Sequence, residues 1–265
     1  MATISEPVTA PPRSRAAGAK RTKIYLWLAI ACAVIAIGGF MPTYWLQLAP
    51  PTFTGSPMLH IHGALCTIWV LFLISQTWLV SENRIRNHRA WGLAGISLAT
   101  GVVILGIATA IAALEANLAR GFGDASRAFL TTPLSAILRF AFFTGAAIAL
   151  VNRPEWHKRL MIAGTVSLIE AAGARVAIFI ALGSAPGMRP GLAPPPPAIM
   201  PVIVGLLLQL LLVVGMVHDW RTRGRVHPAW IVGLAVSVAI IVLKVPLSTT
   251  AAWLSFAQWT TTIAG

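Results

Sequence analysis

Long apolar runs alternate with short polar segments along almost the whole chain. Seven runs are long enough to cross a bilayer as helices, since about 20 helical residues span the hydrocarbon core. They lie near residues 24–41, 59–80, 92–114, 133–151, 160–182, 198–217 and 228–247. No segment shows the ten-residue alternation of a membrane β-barrel. The pattern predicts an all-α fold, a seven-transmembrane-helix bundle over 24–247. A basic tail precedes it at 1–23, and an aromatic interfacial segment follows at 248–265.

Composition agrees with this class. Of 265 residues, 57% are hydrophobic and 10% charged, and the mean hydropathy is +0.79. A soluble domain carries about a quarter charged residues. The net charge of +13 does not point to nucleic acid, because the charges fall in short loops between apolar runs. There they orient helices and contact anionic membrane lipids. The tail and the loops after runs two, four and six hold fourteen Lys and Arg, against three on the other side. This asymmetry predicts a cytoplasmic N-terminus and an external C-terminus. The run 24–41 exceeds a signal-peptide core and reads as an uncleaved first helix. The tail, rich in Pro, Ala and Arg, reads as disordered. Cys32 and Cys66 both fall inside predicted helices, which excludes a disulfide framework.

The loops contain a repeat. His88-Arg-Ala-Trp-Gly-Leu-Ala-Gly95 is similar to His157-Lys-Arg-Leu-Met-Ile-Ala-Gly164, and His227-Pro-Ala-Trp-Ile-Val-Gly233 is a looser third copy. The spacing is 69 and then 70 residues. It suggests three parallel helical hairpins after a leading helix; evenly spaced inner loops would give the same period.

Charges inside apolar runs point most directly to a site, because a charge at membrane depth is costly unless paired or facing a wet cavity. Glu170 lies eleven residues past Arg159, about 16 Å into the membrane. Arg139, Arg175 and Lys244 lie in the central and outer parts of three different runs. One carboxylate cannot neutralise three cations. The surplus would suit a small anionic or amphipathic ligand in an outward-leaning pocket. Alternatively, Glu170 clamps Arg139 or Arg175, and the other cations snorkel to the headgroups.

The histidines form two groups. His60 and His62 begin run two, His62 sharing a helical face with Cys66, Trp69 and Gln76. Both are candidates for the ligand site. His88, His157, His218 and His227 stand beside basic residues at the opposite end and are candidate metal or haem ligands. A phosphate-cradling glycine loop, a Gly-x-Ser-x-Gly elbow and a His-Glu-x-x-His helix are all absent. Oligomeric state leaves no mark on the sequence.

His60-Ile-His-Gly63, Gln76, His88-Arg-Ala-Trp-Gly92, Arg153-Pro-Glu-Trp-His-Lys-Arg-Leu-Met161 and Ala174-Arg175 together resemble an uncharacterised family of bacterial multi-pass inner-membrane proteins with a domain of unknown function. The resemblance covers roughly residues 58–175. It implies an all-helical fold in a bacterial cytoplasmic membrane and transfers no residue roles. A more distant likeness to haem-handling proteins of the cytochrome b561 type rests on helix count and terminal histidines, without the mid-helix histidine pairs of that type. Three functional classes follow: binding or transport of a small anion, a haem or metal redox protein, and a non-catalytic assembly subunit.

Overall fold

A computed structural model describes residues 22–48, 55–182 and 194–263. Most of the tail, the Pro- and Gly-rich stretch at 183–193 and the loop at 49–54 lie outside the described residues. The described chain is helical, with no strand among its elements. Its helices are α1 (Ile24–Phe40), α2 (Pro57–Ser81), α3 (Ile85–Ala119), α4 (Gly123–Phe129), α5 (Thr131–Ala149), α6 (Pro154–Leu168), α7 (Glu170–Leu182), α8 (Ile199–Leu208), α9 (Leu210–Arg223), α10 (Pro228–Ser248) and α11 (Ala251–Thr262). A 3₁₀ turn at Trp45–Gln47 follows α1.

The helix boundaries have local chemical causes. Proline opens α2, α6 and α10, where its missing N–H is one of the donors that a helix start leaves unbonded anyway. At α10 the His227 imidazole also accepts the Ala229 N–H at 3.1 Å. Thr250 caps α11 by accepting the Trp253 N–H at 3.2 Å. Gly224 ends α9 at φ 69° and donates its N–H to the Trp220 carbonyl. Glycine holds this left-handed conformation without a Cβ penalty.

Among the described residues, five helical stretches are long and apolar enough to cross a membrane, and a sixth forms if α6 and α7 are taken as one bent span. α1 is apolar but shorter, at 17 residues. The expected single helix at 160–182 is therefore two, bent by 47°. No proline explains the bend. Thr165 and Ser167 instead donate their hydroxyls to the carbonyls of Met161 and Ala163, four residues back, a bonding pattern that bends helices. The expected run at 198–217 likewise contains a break at Gln209, whose side-chain amide donates to the Gly205 carbonyl at 3.2 Å. The run at 92–114 extends to Ile85–Ala119, because its basic first turn continues the helix beyond the apolar stretch.

α2 packs on α3, α5 on α6, and α9 on α10. His88 and His157 each occupy the fourth position of their helix, whereas His227 stands one residue before its own. The main core gathers Trp69, Phe140, Phe143, Val166, Leu212 and Trp230 from five helices. α1 approaches α7 closely at Gly39, where an added Cβ would lie 2.3 Å from the Ala172 carbonyl oxygen. α11 covers α3 and α4. The Arg127 guanidinium ties it down by donating to Gln258 Oε1 at 2.9 and 2.6 Å.

Candidate functional site: a buried charge cluster beside a cavity

The bend at Ile169 makes Glu170 the first residue of α7. A carboxylate there meets the positive end of a helix dipole and its unbonded N–H groups. Arg139, from the middle of α5, donates from Nη2 to Glu170 Oε1 at 2.7 Å. Its Nε donates to the Ser135 carbonyl. Lys244, from α10, places Nζ 4.0 Å from Glu170 Oε2, beyond hydrogen-bond range. α8 closes the cluster through Gly205, where a Cβ would lie 3.2 Å from Glu170 Oε1 and the same distance from Ile241.

All three ionic groups are buried, Arg139 at 1% exposure, Lys244 at 4% and Glu170 at 5%. Two cations and one carboxylate therefore share a water-poor site with a net surplus of one positive charge. Arg139 Nη1, Glu170 Oε2, Lys244 Nζ, Gln209 Oε1 and Ser237 Oγ are buried without a hydrogen-bond partner. Such groups are costly to leave unsatisfied.

Lys244 also lines a cavity of about 220 Å³, together with Phe129, Thr131, Thr132, Pro196 and Ser248. The cavity lies at the end of the bundle opposite the arginine-rich loops, where α5 begins and α10 ends. Its walls are mostly apolar, with hydroxyls at Thr131, Thr132 and Ser248. A small anion with an apolar body matches that lining.

Not every expected site residue joins this cluster. Arg175 lies elsewhere, its guanidinium 4.2 Å from the centre of the Phe40 ring and bonded to the Ala171 carbonyl at 2.9 Å. Lys244 does not snorkel to a headgroup region, being buried against Glu170. His62 faces Cys66, with 3.8 Å between Nε2 and Sγ, and His60 meets the Tyr44 hydroxyl at 2.9 Å. Neither histidine lines the cavity.

The four histidines of the arginine-rich end do not converge on one point. His218 bonds Thr22 at 2.9 Å. His227 caps α10, and burial together with nearby Arg159 lowers its pKa, in the direction that favours the neutral acceptor the cap uses. Only His88 and His157 are neighbours, with ring centroids 6.2 Å apart. Among the described residues, no three of His, Cys, Asp and Glu gather where they would hold a metal ion.

A second buried ion pair lies where the hydropathy pattern gives no sign of one. Arg159, at 0% exposure, donates from Nε and Nη2 to Asp219 Oδ2 at 2.9 and 2.6 Å. Its Nη1 bonds Glu155 Oε2 at 2.7 Å. Glu155 also holds Lys158 at 2.6 Å and Arg223. Tyr25 and Trp230 stack at 6.2 Å, and each ring lies close to the Arg159 guanidinium. The cluster ties α1, α6, α9 and α10 together at the arginine-rich end. The available signal was Asp219, an acid set one residue beyond His218 among arginines.

No family model, curated protein or solved structure matches the chain.

Proposed function

We propose that the protein binds a small monoanion with a short apolar body in the cavity beside Lys244, and carries it into or across the membrane. The observation behind this reading is the state of Lys244. Among the described residues it is a buried cation with no hydrogen-bond partner, the one carboxylate near it, Glu170, is already bonded to Arg139, and it lines a cavity. A monoanion at Nζ would balance the surplus charge and supply the missing acceptor. Glu170 keeps Arg139 neutralised whether or not the anion is present.

In this reading the chain crosses the membrane seven times, with α1 and the bent pair α6–α7 each counted as one span. The arginine-rich loops face the cytoplasm, the cavity opens outward, and lipids are its standing partners. The skew of Lys and Arg supports this orientation. The resemblance of residues 58–175 to a family of bacterial inner-membrane proteins supports a bacterial cytoplasmic membrane. Reporters fused after Ser81 and after Thr262 should read cytoplasmic and external, respectively. The same side for both would contradict seven spans.

Transport is tested with labelled butyrate and proteoliposomes containing the purified protein. Uptake should be saturable and fall about tenfold or more in Lys244→Met, the factor expected when a charge-assisted hydrogen bond worth about 1.5–3 kcal/mol is removed. Wild-type uptake no greater than that of protein-free liposomes, or equal uptake by the variant, would contradict the proposal.

A further inference from the structure

The arginine-rich end, far from the cavity, holds a second constellation of chemistry-bearing groups. His88 lies in the first turn of α3 and His157 in the first turn of α6, so two separate helices bring two imidazoles together, with ring centroids 6.2 Å apart and planes 75° apart. His157 Nδ1 lies 2.8 Å from the Ala147 carbonyl oxygen. A carbonyl only accepts, so Nδ1 carries the hydrogen and the lone pair sits on Nε2. Such a bond from the far ring nitrogen to a backbone carbonyl is the arrangement that orients metal-binding histidines and raises their basicity.

His88 adds a buried Nδ1 with no hydrogen-bond partner. The Gln76 backbone carbonyl lies against the His88 ring, and the buried Gln76 side chain has neither amide atom bonded. The spacing of the rings has a simple reading. A metal–nitrogen bond is about 2.0–2.1 Å, so two imidazoles on opposite sides of one ion have centroids about 6 Å apart.

We propose that His88 and His157 form a transition-metal site of the imidazole-preferring class to which copper belongs, with two protein nitrogens on opposite sides of the ion and open coordination positions. The absence of a third converging His, Cys, Asp or Glu among the described residues makes it an open site rather than a closed structural one. Arg89 adds positive charge near His88, so an open position suits an anionic co-ligand such as chloride or hydroxide. Of the divalent first-row ions, copper binds nitrogen sites most tightly.

The test is a Cu(II) titration of the detergent-solubilised full chain, prepared without a polyhistidine tag and followed by electron paramagnetic resonance. The expected result is one ion per chain with nitrogen hyperfine structure. His88→Ala and His157→Ala should each weaken binding about tenfold to a hundredfold, while His218→Ala and His227→Ala leave it unchanged. His157→Gln keeps an amide donor for the Ala147 carbonyl and replaces the alanine variant if that one unfolds. No saturable site at one ion per chain, or unaltered binding in His88→Ala, would overturn the proposal. The cavity at the opposite end plays no part in this experiment, so failure of the anion reading leaves its outcome unaffected.

Discussion

Glu170→Gln should destabilise the folded protein by about 3–5 kcal/mol, the usual cost of removing one partner from a buried ion pair. The reason is local. Arg139 and Lys244 are 1% and 4% exposed, and Glu170 is the carboxylate both approach, at 2.7 and 4.0 Å. Without it, two buried cations remain with no carboxylate to balance them. Combining Glu170→Gln with Arg139→Gln should recover most of the loss, because the pair then leaves together. The measurement is unfolding in detergent of both single variants and the double variant. Simple additivity, with no recovery, would show that the two residues are not energetically coupled.

The second large effect belongs to Asp219. Asp219→Asn should cost about 3 kcal/mol, because Arg159 is fully buried and directs two of its N–H groups to a single Asp219 oxygen. Glu155→Gln should cost much less, about 1 kcal/mol or under. Glu155 is 39% exposed on its side chain, and water and salt screen its pairs with Lys158 and Arg223. Asp219→Asn combined with Arg159→Met should recover stability relative to Asp219→Asn alone. Unfolding midpoints of wild type and the three variants decide the matter. A Glu155→Gln loss equal to or larger than that of Asp219→Asn would contradict the assignment of Asp219 as the main counter-ion.

The apolar runs made the helical membrane class legible, because a bilayer demands long uninterrupted helices and leaves little room for other patterns. They also showed which charges lie at depth. Glu170, Arg139 and Lys244 stood out in sequence for that reason and meet in space. The breaks at Ile169 and Gln209 were not legible. Both arise from Thr, Ser or Gln side chains bonding backbone carbonyls one turn back, and such bonds leave the hydropathy unchanged. Arg175 was indistinguishable from Arg139 by depth alone; its place over Phe40 depends on how α1 packs against α7. Asp219 escaped notice because hydropathy ends the sixth run at 217, whereas α9 continues to Arg223. The four histidines near the arginine-rich loops looked alike in sequence. Their partners separate them, since His218 bonds Thr22 and His227 caps its own helix, while His88 and His157 are neighbours.

The account rests on Lys244 being a spare buried cation that awaits an anion. The most direct measurement is the melting temperature of wild type and Lys244→Met in detergent, at matched ionic strength, as sodium butyrate replaces sodium gluconate. A ligand that binds only the folded state raises stability by about 2.7 kcal/mol at one hundred times its dissociation constant. Wild type should therefore melt at progressively higher temperature as butyrate rises. Lys244→Met should start at least as stable as wild type, having lost an unbonded buried charge, and should not respond. Equal butyrate responses in the two proteins, or a variant much less stable than wild type without butyrate, would contradict the account.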